Sequence, residues 1–160
     1  MTRKTLKMLS SALAAMGFLV APAAALDVAS SATVTGAPDA VWKKIGDFCA
    51  IQTWHPAVSK CVQTEEAGAT FRTLTTTDGG AIKEKLVEHT DTSYTYDIIE
   101  SPLPVENYRA TIGVSADGDR TRVDWKGSFE AKGQSDADAK AVISGIYKAG
   151  LDQIAKMSGN

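Results

Sequence analysis

Few residues in this chain of 160 can carry chemistry. The two histidines, His55 and His89, titrate near neutrality and can act as acids, bases or polar anchors. Acid–base work also needs a partner in a dry site, and Glu84 and Glu88 are the carboxylates that qualify. On an extended strand Glu84, Leu86 and Glu88 share one parity, so Glu84 can point inward with Leu86. The competing reading is stronger: Lys83-Glu84-Lys85 is charged at every position and looks like a solvated edge. No nucleophile-elbow pattern is present, and Asp78-Gly79-Gly80 lacks the Lys-Ser/Thr pair of a phosphate-binding loop. The sequence therefore assigns no catalytic residue and calls for no cofactor or metal.

Aromatic residues are the richer signal. Tyr94 and Tyr96 alternate with polar neighbours, as do Tyr108 and Trp125, so their rings belong on an apolar face. Tyr147 falls on the apolar stripe of a late helix. Rings with polar tips suit an amphipathic guest, and they equally suit an ordinary core. Trp54-His55-Pro56 joins a helical stretch to the first of the later strands; His55 there is an anchor for a ligand carboxylate or hydroxyl, or a packing residue. Leu103, between Pro102 and Pro104 in a rigid loop, is placed to gate a cavity mouth. The expected ligand set is thus Trp54, His55, Tyr94, Tyr96, Leu103, Tyr108, Trp125 and Tyr147.

The elements that must position these residues read in order. Residues 28–36 form a β-branched strand ending at Gly36. Pro38 and Asp39 open a helix on which Val41, Trp42, Ile45 and Phe48 share a face, and Ala50–Trp54 is a second short helix stopped by Pro56. Strands follow at 58–65, 70–77, 81–90, 93–100, 106–116 and 120–132, separated by short Gly, Asp and Pro breaks typical of hairpins. Ser135 or Asp136 caps a long amphipathic helix through Val142, Ile143, Ile146, Tyr147, Gly150, Ile154 and Met157. Gly145 and Gly150 weaken that helix and imply a bend or a close approach. The expectation is an α+β fold: a curved antiparallel sheet of seven strands covering its apolar face with one long C-terminal helix, with two short helices between strands 1 and 2.

Residues 1–25 have a different character. Arg3, Lys4 and Lys7 precede an uncharged, mostly apolar run from Met8 to Ala21, and Ala23-Ala24-Ala25 supplies a small-x-small exit. This is the pattern of a secretory signal peptide cleaved after Ala25; the run is too short for a transmembrane helix, which needs about 20 residues. Residues 26–160 are then the mature domain. They hold 14 basic against 19 acidic residues, a net charge of −5, which excludes bulk nucleic-acid binding. The expected location is the periplasm or the exterior, with no stable membrane span after cleavage. In that oxidising space Cys49 and Cys61, the only cysteines, are expected to be bridged. Free buried thiols are the alternative; with His55 the pair lacks a fourth ligand for a zinc site.

Four local stretches carry a family resemblance: Ala37-Pro38-Asp39-Ala40-Val41-Trp42, the run from Phe48 to Cys61, Ser101-Pro102-Leu103-Pro104-Val105 ahead of Tyr108, and Val123-Asp124-Trp125. In this order, before one terminal helix, they resemble the START-like superfamily, also called SRPBCC or Bet v 1-like, with its helix-grip fold. The branch most similar is the bacterial polyketide cyclase/dehydrase type, including periplasmic MxaD-like proteins. The resemblance implies a cavity, and with the apolar alternation ahead of the terminal helix and the signal-like start the expected role is an exported, non-catalytic protein holding a small hydrophobic or amphipathic molecule there. It also implies two alternatives, an accessory factor for a periplasmic oxidation enzyme and a cyclase or dehydratase using His55 or Glu84 as base and Tyr108 as donor. By similarity to plant abscisic-acid receptors, a ligand-facing lysine falls on His55 and a latch loop on Pro102–Val105. The latch's histidine-arginine pair is missing, so that hormone is not implied.

Overall fold

The computed structural model describes residues 25–159. The expected signal peptide, apart from Ala25, lies outside the described residues. The chain forms β1 (Leu26–Thr35), α1 (Pro38–Ile45), α2 (Ile51–Trp54), β2 (Val58–Glu66), β3 (Ala69–Thr76), β4 (Ala81–His89), β5 (Ser93–Glu100), β6 (Val105–Asp117), β7 (Arg120–Ala131) and α3 (Asp136–Met157). No described helix is long and apolar enough to cross a membrane.

All strands join one antiparallel sheet in the order β1-β7-β6-β5-β4-β3-β2. Consecutive hairpins build β2 to β7. The first strand closes against the last, beginning at Leu26 opposite Phe129, two residues earlier than its β-branched run predicts. Cross-strand pairing recruits Leu26 and Asp27, which carry no strong strand signal of their own.

The helix ends follow their caps. Pro38 and Asp39 occupy the first turn of α1, while Lys43 and Lys44 in its last turn complement the helix dipole. Ser135 caps α3 by accepting the Asp138 N–H at 3.2 Å. Helix α3 runs unbroken through both glycines. Gly145 is open to solvent, whereas Gly150 is buried where the helix crosses ring side chains. A Cβ there would lie 2.8 Å from His55 Cδ2, 2.9 Å from Trp125 Cζ3 and 3.0 Å from Trp54 Cζ3. Close approach, not bending, is therefore the reason for Gly150.

The core lies between the concave face of the sheet and α3. Val28, Val34, Val123 and Phe129 from β1 and β7 are buried with Ala139, Ile143, Tyr147, Leu151 and Ile154 from α3. Toward β2–β5 the helix no longer fills the concavity, and there the hollow opens. Cys49 and Cys61 are disulfide-bonded, with Cα atoms 5.5 Å apart, tying the segment before α2 to the edge strand β2.

Candidate functional site

The hollow is a cavity of about 280 Å³. Its apolar wall comes from Ile51 on α2, Leu74 on β3, Ile82 on β4, Ile98 on β5, and Ile143 and Ile146 on α3. Its polar wall is His55, Glu84, Tyr96, Tyr108 and the indole of Trp125. The lining residues Ala57, Thr77 and Asp78 are exposed and mark the mouth, with half-buried Leu103 beside them. The β3–β4 turn and the loop of residues 101–104 meet there, since a Cβ on Gly80 would come within 3.7 Å of Pro102.

The polar wall is a connected system. Trp125 Nε1 donates to the Tyr96 hydroxyl at 3.1 Å. The Tyr96 and Tyr108 hydroxyls are 3.3 Å apart, and those of Tyr108 and Tyr147 are 2.5 Å apart. Burial pushes all three phenols above their ordinary range, so they stay protonated. Gly127 makes room for this chain: a Cβ there would lie 2.2 Å from the Tyr147 hydroxyl.

His55 is fully engaged. Its Nε2–H donates to the Ile146 carbonyl at 3.1 Å and its Nδ1 accepts the Ala57 N–H at 3.2 Å. Those partners require the neutral Nε2–H tautomer. Burial lowers its pKa, with the Ile146 carbonyl opposing and the Arg72 charge reinforcing. The expected anchoring of a ligand carboxylate by His55 finds no free N–H on this ring.

Glu84 corrects the solvated-edge expectation. Strand β4 is an interior strand, and the edge beyond it is β2. Glu84 is 4% exposed and receives the Arg72 Nε–H at 2.5 Å, with Arg72 itself 0% exposed. Arg72 also donates to the Phe48 carbonyl and to the Tyr94 hydroxyl, the latter at 3.5 Å. Its guanidinium lies 4.1 Å from the centre of the Phe48 ring. Burial raises the Glu84 pKa against the pull of Arg72. For Arg72, burial works against the charge, but Glu84, Tyr94 and Tyr96 outweigh it, and the group stays protonated. Arg72 is the functional-site residue that sequence reasoning missed. The available signal was its shared parity with Leu74, matching that of Glu84 with Ile82. Glu88 does not follow Glu84 inward. A register shift between Leu86 and Glu88 resets the parity, and Glu88 is exposed.

Of the expected ligand set, His55, Tyr96, Leu103, Tyr108 and Trp125 line the cavity. Trp54, Tyr94 and Tyr147 are buried outside its lining. Trp54 packs edge-on to Trp125, with ring centres 5.6 Å apart. Tyr94 packs against Phe48, Trp42 and His89 at the other end of the sheet. Tyr147 stacks on Trp125 with centres 4.4 Å apart and braces it from outside the cavity lining. His89 bonds the Gly46 carbonyl at 2.8 Å, also away from the cavity.

A second hollow of about 760 Å³ lies where β5 and β6 part beyond the Asp97–Arg109 pair. Asn107, in the left-handed region at φ 51°, sits in the register shift of β6. Its lining includes Asp97, Glu100, Glu106, Arg109 and Lys132, so its wall is charged and suited to water. Of these two hollows, the one of about 280 Å³ is apolar with convergent polar groups, as ligand sites are.

A sheet gripping one helix around such a cavity is the START-like helix-grip architecture. The chain belongs to the polyketide cyclase/dehydrase and lipid transport family, whose model matches residues 25–158. It is similar to the protein XoxI from Bacillus cereus at 31% identity, covering 84% of this chain and 96% of that one with a TM-score of 0.78. The Zhui aromatase/cyclase from Streptomyces sp. R1128 shares the fold at 15% identity, 85% and 94% coverage and a TM-score of 0.67. A START superfamily protein from Mycobacterium smegmatis shares it at 11% identity, 83% and 97% coverage and a TM-score of 0.70. No curated protein sequence matches the chain.

Proposed function

We propose that this protein is an exported, non-catalytic carrier that holds one small apolar or amphipathic molecule between its sheet and α3. The observation that carries this reading is the cavity of about 280 Å³, walled by isoleucine, leucine and tryptophan and with a mouth at Ala57, Thr77 and Asp78. It is roughly twice the ~150 Å³ apolar cavity that stays dry and admits benzene, so a bicyclic ring system or a short acyl chain fits its scale. A non-catalytic role is favoured because the two wall residues that could act as a base, His55 and Glu84, already hold partners. His55 is neutral and bonded at both nitrogens, and Glu84 is tied to Arg72.

Export is supported by the signal-like segment of residues 1–25. The Cys49–Cys61 bond is consistent with it, because such bonds persist in oxidising compartments. Native mass spectrometry of protein purified from its own host tests the carrier reading. A stoichiometric adduct that organic solvent removes is expected. A bare chain that also takes up no added hydrophobic compound contradicts it.

A further inference from the structure

The two hollows share a wall. Ile98 and Tyr108 line both the apolar cavity of about 280 Å³ and the charged hollow of about 760 Å³. The sheet is split at that wall. Strands β5 and β6 pair from Ser93 opposite Gly113 to Asp97 opposite Arg109, and no further. Beyond that point Ile98 and Glu100 stay with β4, while Val105 and Glu106 stay with β7. The register shift of β6 between Glu106 and Arg109 accompanies the parting, as bulges bend a strand away from its neighbour. No strand ladder closes the gap among the described residues, so side-chain packing divides the inner space from the outer one.

The two dividing side chains are held differently. The Tyr108 hydroxyl is within hydrogen-bond distance of those of Tyr96 and Tyr147. Ile98 is half-buried and aliphatic, so packing alone holds it, and a rotamer change there joins the hollows without breaking a hydrogen bond. The chemistry on the two sides is opposite. Inside, the wall is mostly isoleucine and leucine with a few polar groups. Outside, Asp97 and Arg109 neutralise each other through two hydrogen bonds of 2.7 and 2.8 Å. Glu100, Glu106 and Lys132 on the same wall are exposed and hold no ion pair among the described residues. Two anions and one cation are therefore open to a ligand there.

Building on the carrier reading, we infer that the ligand is an amphiphile that threads the split between β5 and β6. Its apolar end lies in the inner cavity and its zwitterionic head in the outer hollow. The cationic group of the head faces Glu100 and Glu106, and its anionic group faces Lys132. The head keeps its water, so only the tail is desolvated and no charge is buried.

Proton–nitrogen NMR titration with octyl-phosphocholine, kept below its micelle-forming concentration, tests this, with naphthalene as the control that lacks a head. The expected result is that the Trp125 indole signal and the backbone signals of Glu100, Glu106 and Lys132 shift along one saturation curve. Ala57, Thr77 and Asp78 at the mouth stay unmoved. The double variant Glu100→Gln, Glu106→Gln weakens octyl-phosphocholine by about three- to tenfold, the worth of exposed charge contacts, and leaves naphthalene unchanged. The inference fails while the cavity reading stands under any of four results. The head signals fall at Ala57, Thr77 and Asp78; the split and Trp125 follow separate curves; the double variant binds octyl-phosphocholine unchanged; or naphthalene alone moves Trp125. If neither probe moves the Trp125 signal, both fail.

Discussion

Arg72 and Glu84 face each other at matched register on β3 and β4, both buried, with Arg72 Nε 2.5 Å from Glu84 Oε2. Through Glu84 the pair brings a charged contact to the polar wall of the hollow. Removing either partner leaves the other charge without compensation, which costs about 3–5 kcal/mol. Arg72→Met and Glu84→Leu singly should each lower unfolding stability by that order. The double substitution should recover most of the loss, because two apolar side chains need no partner. Urea denaturation of the four proteins in a double-mutant cycle measures it; additive losses in the double variant would contradict the coupling.

Gly150 and Gly145 make an internal control in α3. A methyl at Gly150 meets three rings at 2.8 to 3.0 Å, and one at Gly145 meets nothing within 4 Å. Alanine gains about 1 kcal/mol of helix propensity at either site, but overpacking costs about 1–3 kcal/mol. Thermal unfolding should show Gly145→Ala raising Tm and Gly150→Ala lowering it. Equal effects at the two positions would remove the close-approach explanation.

The Cys49–Cys61 bridge closes a loop with a sequence separation of 12. The chain-entropy model assigns such a loop roughly 2–3 kcal/mol. Chemical denaturation with and without reductant should differ by about that amount, and α2 with the strand it is tied to should be the first region to lose hydrogen-exchange protection.

His55 makes stability depend on pH. Burial lowers its pKa in the folded chain below the ordinary 6.5. Above that ordinary value both states hold a neutral ring and the stabilisation is complete. As pH falls below about 6.5 the unfolded chain takes up a proton that the folded chain refuses, so stability drops by up to about 1.4 kcal/mol per pH unit until the folded value is reached. Unfolding measured from about pH 7 to 5, ahead of the main carboxylate range, should show this slope, and His55→Gln should flatten it. An unchanged slope in the variant would show that the titrating group is another residue.

Much of the architecture was legible because its signals are local. Asp78-Gly79-Gly80 and Asp117-Gly118-Asp119 mark turns through residue chemistry alone, and both are turns in the fold. Alternation placed Tyr94, Tyr96, Tyr108 and Trp125 on the inward face. It fixed the face but not the depth along the strand: Tyr94 and Tyr96 share parity, yet only Tyr96 reaches the cavity, because Phe48 and Trp42 cover Tyr94. Arg72 and Glu84 were obscured for a different reason. A charged residue among lysines reads as solvated unless its partner is known, and here the partner comes from the neighbouring strand through register. Gly127 went unnoticed because its role is to leave space for a hydroxyl arriving from α3, and no local pattern records that.

The central claim is that an apolar guest occupies the space between β2–β5 and α3. The indole N–H of Trp125 reports on that space, since it bonds Tyr96 on the cavity wall. Proton–nitrogen NMR spectra recorded during a titration with naphthalene test the claim most directly. A saturable shift of the Trp125 indole signal, together with the backbone signals of Ile82, Ile98 and Ile143, is the predicted result. Shifts confined to exposed Val62, Val87 and Ile99, with the Trp125 signal unmoved, would contradict it.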